Sequence, residues 1–316
     1  MQSSSVSRQI VSALLLVIAA FVWGSTFVAQ SVGSDSVEAY TFLTSRSFIS
    51  AVALLPVIAV RKALRPKGAS EASEENTSAS RRTLWLGGIL CGAALMVASG
   101  IQQIGIKDTT VGKAGFITAM YIVIVPLLGI FLKKRIGLNV WAGVAIAVVG
   151  MYFLCITEGF SISRGDFLVL ICAFCFSLHI LVIDYFSPKV DGVKMSCIQF
   201  FTCGVLSLFP TFLFEKPSFS DVQAAALPIL YAGLLSGAVG YTLQIIAQKN
   251  LQPTVASLIM SLESVFSVLS GWVVLHEGLS ARELIGCLLM FAAILLAQLP
   301  GDLFRKKRIP HPDGEK

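Results

Sequence analysis

The sequence IVSALLLVIAAFVWGSTFVAQS, residues 10–31, runs for 22 residues without one charged side chain. An apolar run of about 18 residues or more is long enough to cross the roughly 30 Å hydrocarbon core of a bilayer as a helix. A secretory signal has a shorter apolar core, and a small-residue cleavage site follows it promptly. Neither feature is present here, so we expect residues 10–31 to form a membrane-spanning helix of the mature protein.

Nine further apolar runs follow this one along the chain. The ten runs cover residues 10–31, 40–60, 84–103, 114–132, 137–156, 166–186, 195–214, 224–246, 254–275 and 279–299. Hydrophobic residues make up 55% of the 316 residues and charged residues only 13%, against about 25% charged in an average soluble domain. The sequence therefore predicts an all-α polytopic membrane protein with ten transmembrane helices and little chain left for a soluble domain.

Lysine and arginine are divided unevenly among the segments that join the apolar runs. With an interior N-terminus, 18 fall in inward segments, five fall in outward segments, and Arg46 lies within a run. This asymmetry places both termini in the cytoplasm, and we expect the protein in the plasma (inner) membrane. Residues 61–83 are expected to form a flexible cytoplasmic loop and residues 301–316 a basic cytoplasmic tail. The net charge of +6 then reflects topology, and no nucleic-acid partner is expected.

The second half of the sequence repeats features of the first half. A shift of 142 positions pairs Gln102 with Gln244, Ile104 with Ile246, Lys107 with Lys249, Ala114 with Ala256, Ile117 with Ile259, Val123 with Val265, Leu127 with Leu269 and Gly129 with Gly271. The third predicted helix falls on the eighth, so five helices separate the copies and the copies cross the membrane in opposite directions. We therefore predict two inverted five-helix repeats, residues 1–157 and 158–300. Such repeats open a midplane site alternately to the two sides of the membrane.

Three blocks of sequence carry a family resemblance. They are FVWGSTF at residues 21–27, FITAMYIVIVP at 116–126 followed by Gly150, and SLESVF at 261–266 followed by Gly271, Trp272, Glu277 and Gly286. Together they resemble EamA-type members of the drug/metabolite transporter superfamily. Ser264 stands where that family usually has proline, which leaves a kink at Glu263 in question, and His276 stands where it usually has glycine. The resemblance implies ten helices in two inverted repeats and movement of small metabolites without ATP hydrolysis.

Few ionisable side chains lie inside the predicted helices. Each is a candidate site residue, because a charge at mid-bilayer costs roughly 2.5–3.5 kcal/mol on insertion scales. With a rise of about 1.5 Å per residue, Arg46, Tyr121 and Trp23 fall in an outer layer, to which Gln102 and Lys113 are added. Such a layer suits a carboxylate or aromatic substrate. The alternatives are that Arg46 extends to the headgroups, that Trp23 only packs, and that Lys113 only marks the boundary.

Glu263 and His179 lie deeper, at similar depths, so a direct pair is geometrically allowed. A buried carboxyl beside a histidine can load and release a proton, and we predict proton-coupled exchange with Glu263 as the carrier. The alternative is that Glu263 bonds to neighbouring serines and fixes helix packing. The substrate-binding candidates are Trp23, Arg46, Gln102, Tyr121, His179 and Tyr241, and the proton-coupling candidates are Glu263 and His179.

Small residues predict several close helix contacts. They are Ser257, Ser261, Ser264 and Gly271 on the ninth predicted helix, Gly88 and Gly92 on the third, and Gly233 and Gly237 on the eighth. Pro126 removes one backbone hydrogen bond from the fourth helix and predicts a kink there.

The predicted function is secondary-active transport of a small metabolite such as an amino acid or an amine, with export favoured. One alternative is a membrane-embedded enzyme with Glu263 and His179 as acid and base, but the sequence contains no HExxH, GxSxG or Walker motif. The other alternative is a membrane scaffold or receptor. No cofactor or metal is predicted, and the pair Cys172 and Cys175 is interpreted as packing. The expected partners are a small-molecule substrate, the lipid bilayer and protons, with a homodimer left open.

Overall fold

The computed structural model describes residues 2–64, 78–133, 136–155, 163–274 and 280–298. Within these ranges every regular element is helical and no strand occurs. The predicted all-α class is therefore confirmed for this part of the chain. The predicted repeat boundary at residues 157 and 158, the tail 301–316, and both His276 and Glu277 lie outside the described residues.

The described residues form α-helices joined by short turns. They are α1 (Gln2–Ser34), α2 (Ala39–Ala63), α3 (Ser78–Gly105), α4 (Val111–Thr118), α5 (Tyr121–Phe131), α6 (Leu138–Cys155), α7 (Arg164–Phe186), α8 (Gly192–Phe214), α9 (Phe219–Ala224), α10 (Ala226–Tyr231), α11 (Thr242–Gln248), α12 (Pro253–Met260), α13 (Glu263–Val274) and α14 (Ala281–Gln298). A π-helical stretch, Ala232–Tyr241, joins α10 to α11.

Eight helical segments are long and apolar enough to cross a membrane. They are Val6–Ser34, Ala39–Ala63, Ala79–Asp108, Val111–Phe131, Arg164–Lys189, Gly192–Phe214, Ala226–Gln248 and Pro253–Val274. The fifth and tenth predicted runs correspond to the shorter apolar helices Leu138–Gly150 and Leu284–Ala297. Large apolar side chains such as Phe209, Phe212 and Leu295 are exposed, which suits a surface that faces lipid. The chain is therefore an integral membrane protein.

The loop predicted at residues 61–83 is shorter than expected. Helix α2 continues to Ala63, and α3 already begins at Ser78. Arg61 and Lys62 occupy the last turn of α2, where positive side chains interact favourably with the unpaired carbonyls of a helix end. Charged residues thus extend the helix beyond its apolar run, and residues 65–77 lie outside the described part of the chain.

The fourth and ninth predicted helices are interrupted at matching positions. Helix α4 ends at Thr118 and α5 begins at Tyr121, while α12 ends at Met260 and α13 begins at Glu263. A shift of 142 positions maps each of these residues onto its counterpart in the other half. Tyr121 and Glu263 are therefore equivalent residues, and each is the first residue of a half-helix.

Neither interruption contains a proline. Pro126 lies inside α5, and the break comes before it, where the Met120 amide donates to the Ile117 carbonyl at 3.2 Å instead of to the residue four back. In the second half, the hydroxyls of Ser261 and Ser264 each donate at 2.7 Å to a backbone carbonyl three residues earlier. Such bonds compete with the helical ladder. The helix is thus interrupted just before Glu263 without the family's proline.

Small residues bring the predicted helices into close contact. A Cβ atom added to Gly92 of α3 would lie only 2.6 Å from the Cβ atom of Thr202 in α8, so this approach requires glycine. In the same way, a Cβ atom on Gly115 of α4 would lie 3.1 Å from the Cβ atom of Ser267 in α13. The second contact packs the two interrupted helices against each other near their breaks.

Candidate functional site

Tyr241 lies where four helical segments meet. It ends the π-helical stretch Ala232–Tyr241, and π-helical turns are rare and concentrate at functional sites. The centroid of its ring lies 4.9 Å from that of Trp23, 5.8 Å from that of His179 and 5.5 Å from that of Phe200. These rings come from α1, α7 and α8. Tyr241 lines both of the two small cavities described below.

The first cavity, which we call the Arg46 cavity, has room for about one water molecule, because about 10 Å³ of it is open to the centre of a water-sized sphere. It is lined by Leu43, Arg46, Ser47, Ser50, Leu95, Phe200, Ala232, Ser236, Gly237 and Tyr241. The Arg46 side chain is buried, its Nη1 lies 3.4 Å from Gln30 Oε1, and its Cζ lies 5.9 Å from the centre of the Phe42 ring. Among the described residues no carboxylate forms an ion pair with this guanidinium. Its remaining N–H donors suit an anionic ligand.

The second cavity, which we call the Tyr121 cavity, is similarly small, with about 20 Å³ open to the centre of a water-sized sphere. It is lined by Trp23, Tyr121, Phe176, His179, Ile180, Tyr241, Gln244 and Met260. Two buried polar atoms of these residues have no hydrogen-bond partner, His179 Nδ1 and Gln244 Oε1, whereas the Tyr121 hydroxyl faces the Glu263 carboxyl. An unpaired buried polar group costs free energy, so these two atoms mark a place where a ligand or water is expected.

Glu263 lies beside the Tyr121 cavity at the start of α13. Its side chain is buried, its carboxyl interacts with the Tyr121 side chain, and its Oε1 has no hydrogen bond of standard geometry. The neighbouring serine hydroxyls do not donate to it. Those of Ser257, Ser261 and Ser264 donate to backbone carbonyls three residues earlier. The structure therefore does not contain the bonds between Glu263 and serine that the packing alternative requires.

The direct pair of Glu263 with His179 does not form. His179 Nε2 bonds to Gln199 Oε1 at 3.0 Å, and its Nδ1 faces the Tyr121 cavity. Tyr121 borders Glu263, and His179 lines the same cavity as Tyr121. Depth along a helix does not fix the direction of a side chain around it, and the two groups have different partners.

Five of the six predicted substrate-binding residues line the two cavities: Trp23, Arg46, Tyr121, His179 and Tyr241. Gln102 does not line either cavity, because its Nε2 donates to Thr118 Oγ1 at 3.0 Å. Lys113 lies at the edge of the helix bundle, and its Nζ is 3.8 Å from Asp166 Oδ2. Residues of both predicted layers line the cavities, with Trp23, Arg46 and Tyr121 from the outer layer and His179 from the deeper one.

Sequence reasoning missed Gln244, Phe176 and Ser236. Gln244 was available as the counterpart of Gln102 under the shift of 142 positions, and of this pair it is Gln244 that faces a cavity. Ser236 and Phe176 carry no such signal. The Ser236 carbonyl accepts from Trp23 Nε1 at 3.4 Å, a contact that depends on the π-helical geometry. Among the described residues, no group of three or more His, Cys, Asp or Glu side chains is placed to hold a metal ion.

One end of the bundle is closed by contacts to the start of α2. Glu215, which follows α8, accepts from the backbone amides of Tyr40 and Thr41 at 2.7 Å each. Lys107 Nζ lies 2.8 Å from Glu38 Oε2 on the same side. The Glu215 bonds satisfy amides at a helix N-terminus that would otherwise lack partners. They join elements from the two halves of the sequence, whereas Lys107 and Glu38 both belong to the first half.

The opposite end carries an aspartate that caps α8. Asp191 Oδ1 accepts from the amides of Val193 at 2.9 Å and Lys194 at 3.0 Å, and Oδ2 lies 3.2 Å from Arg61 Nη2. Partial burial raises the pKa of the Asp191 carboxyl, but the Lys194 amide and the Arg61 guanidinium outweigh burial and hold this pKa below its usual range. Asp191 thus ties α8 to the end of α2.

Comparison with known proteins identifies a transporter family. The model of the EamA-like transporter family matches the chain twice, over residues 10–156 and 163–299. An uncharacterized transporter of Archaeoglobus fulgidus is 29% identical over 293 residues, which cover 92% of this chain and 87% of that protein. The uncharacterized transporter YoaV of Bacillus subtilis is 23% identical, over 87% of this chain and 92% of its own length.

A solved crystal structure has a similar fold. It aligns with a TM-score of 0.74 at 17% sequence identity and covers 93% of this chain and 99% of the other. At this identity the likeness concerns the fold alone.

Proposed function

Because the chain belongs to the EamA-like transporter family, we propose that it is a secondary-active transporter that exports small metabolites such as amino acids or amines by alternating access. The observation that carries this proposal is the pair of interrupted helices. Tyr121 and Glu263 begin equivalent half-helices and meet in the buried centre. Discontinuous helices whose breaks flank a central site are a recurrent feature of secondary transporters.

The proposed architecture is ten transmembrane helices in two inverted repeats. Two separate matches to one family model, 10–156 and 163–299, support the repeat, as does the matching position of the two helix interruptions. The shorter helices α6 and α14 complete the count in this proposal. In the proposed orientation both termini lie in the cytoplasm, and the protein lies in the plasma (inner) membrane. This orientation rests on the distribution of lysine and arginine.

The proposed substrate site consists of the Arg46 and Tyr121 cavities. Only about 10 and 20 Å³ of these cavities is open to the centre of a water-sized sphere, which is room for about one water molecule in each and too little for a small-molecule substrate. We infer that this conformation is nearly closed and that the helices must separate for substrate to enter. Arg46 offers a guanidinium to a substrate carboxylate, and the bonds of Glu215 and Asp191 at the two ends are the contacts that opening would strain or break.

Glu263 is the proposed proton carrier. Its carboxyl is buried, its Oε1 has no partner, and the ionisable side chains around it are Tyr121, Tyr241 and Cys172. None of these three carries a positive charge at neutral pH, so binding a proton is the simplest way to neutralise the carboxylate. An opening that alternates between sides would expose Glu263 to a different pH in each state. The same residue would then couple substrate movement to a proton gradient.

Uptake into sealed vesicles tests the coupling. Glu263→Gln keeps the shape and hydrogen bonding of the side chain but removes its ionisation. We expect it to abolish uptake driven by a pH gradient and to leave exchange at equal pH intact. Asp221→Asn, the same change from carboxylate to amide at an exposed residue of α9 that lines neither cavity, is the matched control and should transport like the wild type. Persistence of gradient-driven uptake at the wild-type rate in Glu263→Gln would show that another group carries the proton.

The family assignment points to a transporter rather than to an enzyme. In this proposal Glu263 and His179 do not act as a catalytic acid and base, which agrees with their separate partners. Transport without nucleotide, and without chemical change to the solute, distinguishes the proposed function from the enzymatic alternative. The proposal specifies no oligomeric state, and a homodimer is compatible with it.

A further inference from the structure

The Tyr121 cavity has the size and the polar walls that a single buried water molecule needs. About 20 Å³ of it is open to the centre of a water-sized sphere, and roughly 10–15 Å³ is enough to hold one water. Two buried atoms on its walls, His179 Nδ1 and Gln244 Oε1, have no hydrogen-bond partner. A water that bonds to such atoms recovers part of the free energy that their burial costs. The cavity therefore suits one water in this conformation.

The internal repeat shows where the second half departs from the first at this cavity. In the first half, Gln102 Nε2 donates to Thr118 Oγ1 at 3.0 Å. The shift of 142 positions maps these two residues onto Gln244 and Met260, and both of those line the Tyr121 cavity. Methionine has no hydroxyl. The second half thus has a glutamine facing a small cavity at the place where the first half has a direct bond between side chains.

The two unpaired atoms determine which bonds a water there would make. A glutamine Oε1 only accepts. Because His179 Nε2 faces Gln199 Oε1 at 3.0 Å, Nε2 of the neutral ring carries the proton and Nδ1 accepts. A water that donates one hydrogen to each acceptor has used both of its hydrogens. Its oxygen can still accept from a further donor, and the cavity is also lined by Tyr121, which carries a hydroxyl.

Tyr121 contacts both this cavity and the buried carboxyl of Glu263. The two residues are equivalent in the repeat, and each begins a half-helix. The other titratable side chains around the carboxyl are Tyr241 and Cys172. Lys113 of α4, which also packs against α13, is paired with an aspartate of α7. Helices α1 and α6 pack against α13 as well and add no titratable group to this set.

We propose that the Tyr121 cavity holds one ordered water molecule and that the Tyr121 hydroxyl passes protons between this water and the Glu263 carboxyl. The inference rests on the proposed function, in which Glu263 carries the proton, and it names the residue that loads the carrier. The hydroxyl gives its proton to the carboxylate and takes one from the protonated water, so that neutral tyrosine and neutral water are restored. The extra proton enters from the side to which the cavity opens.

The direction of the Tyr121 hydrogen bond depends on the charge of Glu263. An ionised carboxylate only accepts, so the Tyr121 O–H donates to it. A protonated carboxyl donates to the Tyr121 oxygen, and the Tyr121 O–H then donates to the water. The water therefore gains its third hydrogen bond when Glu263 binds a proton, which favours the proton-loaded form of the nearly closed conformation.

Infrared spectroscopy of the purified full-length protein tests the contact without requiring transport. The C=O stretching band of a protonated carboxyl shifts with the hydrogen bonds of that group, and the band that disappears in Glu263→Gln belongs to Glu263. We expect Tyr121→Phe, which removes only a hydroxyl, to shift this band. Tyr185→Phe, the same change at an exposed tyrosine that lines neither cavity, is the matched control and should not shift it. An unshifted band in Tyr121→Phe would overturn the relay, and so would the absence of any Glu263 band on acidification.

Uptake into sealed vesicles tests the proton transfer itself. The labelled probe is whichever of glycine, leucine, phenylalanine and lysine the purified wild type binds best. A positioned proton donor contributes roughly 10²–10⁴-fold to a transfer. We therefore expect Tyr121→Phe to slow uptake driven by a pH gradient at least about tenfold more than it slows exchange at equal pH. Equal slowing of both processes, or no slowing of either, would contradict a relay through Tyr121.

A crystal structure of the nearly closed conformation, at a resolution that shows water, tests the site without any variant. We expect one water within about 3.2 Å of both His179 Nδ1 and Gln244 Oε1. The absence of ordered water at that place would overturn the proposal. This measurement decides if Tyr121→Phe does not fold.

The relay and the proposed function fail in different ways. If Glu263→Gln keeps gradient-driven uptake, the proton carrier of the proposed function is wrong and the relay falls with it. If Glu263→Gln loses that uptake and Tyr121→Phe keeps it, the relay alone is wrong. A wild type that moves none of the probes removes the transport function, whereas the infrared band and the ordered water still decide whether Tyr121 joins Glu263 to the cavity.

Discussion

The Arg46 side chain is buried, and the free-energy cost of burying its charge indicates that the charge has a role. A buried cation without a carboxylate partner is expensive to keep. Among the described residues, the Arg46 guanidinium contacts the Gln30 amide oxygen and the Phe42 ring and forms no ion pair with a carboxylate. Its side chain does not reach the headgroups, because it is 7% exposed and lines an internal cavity. An anion that arrives with the substrate would supply the missing charge.

Substitutions of Arg46 distinguish the effect of its positive charge from the effect of its planar guanidinium. Arg46→Lys keeps the positive charge but loses the planar fork that holds a carboxylate by two bonds. We expect a loss of about tenfold in affinity for carboxylate-bearing ligands, and about a hundredfold or more for Arg46→Ala. Arg82→Ala, which removes an exposed arginine near the start of α3 and outside both cavities, is the control. Unchanged carboxylate binding by Arg46→Ala, measured with the purified protein, would exclude an anion site here.

At this scale, sequence reasoning found the charged residues and missed their partners. Arg46, His179 and Glu263 are identifiable because charge inside an apolar run is costly. The partners depend on the rotation of each helix, so the contact of His179 with Gln199 has no signal in the sequence. Gln244 is neutral, so no cost of burying a charge singles it out, although the shift of 142 positions makes it the counterpart of Gln102.

The interrupted helices show what sequence patterns reveal about elements. The internal repeat correctly aligned α4 and α5 with α12 and α13, because identical residues recur at a fixed spacing. The positions of the breaks were not predictable from proline, since Pro126 lies inside α5 and the second half has Ser264. Serine hydroxyls bonded to nearby carbonyls are compatible with a continuous helix as well as with a break.

The cap of α8 provides a test at the scale of one element. Asp191→Ala removes the side-chain acceptor of two amides, and we expect a loss of about 1 kcal/mol in stability. Asp191→Asn retains an acceptor and should lose less. Because the Asp191 pKa is lowered in the folded protein, the ionised carboxylate stabilises at neutral pH, and this contribution is lost as the pH falls through the folded-state pKa.

Thermal unfolding in detergent measures both effects. The difference in stability between wild type and Asp191→Asn should shrink as the pH is lowered from neutral into the acidic range. A difference that is constant with pH would show that the charge of Asp191 does not stabilise α8, and full stability of Asp191→Ala would show that the cap is not needed.

At the scale of the whole molecule, the bundle combines a lipid-facing surface with a polar centre. Large apolar side chains are exposed on many helices, while Arg46, His179 and Glu263 are buried. The all-helical class and the membrane setting followed from composition and run length, because the bilayer imposes both. The nearly closed cavities and the contacts at both ends of the bundle did not follow from composition or run length. They depend on which of several packings the repeats adopt.

Counterflow in sealed vesicles is the most direct test of the central claim, that one substrate site opens alternately to the two sides. Vesicles that contain the purified protein are loaded with a high concentration of the unlabelled amino acid that binds best and diluted into a trace of the same compound with label. Neither nucleotide nor a pH gradient is supplied. An alternating carrier should accumulate label transiently above its external concentration, because outward-moving sites return loaded. Equilibration of label without any transient accumulation would indicate a channel, and no entry of label would contradict transport by this protein.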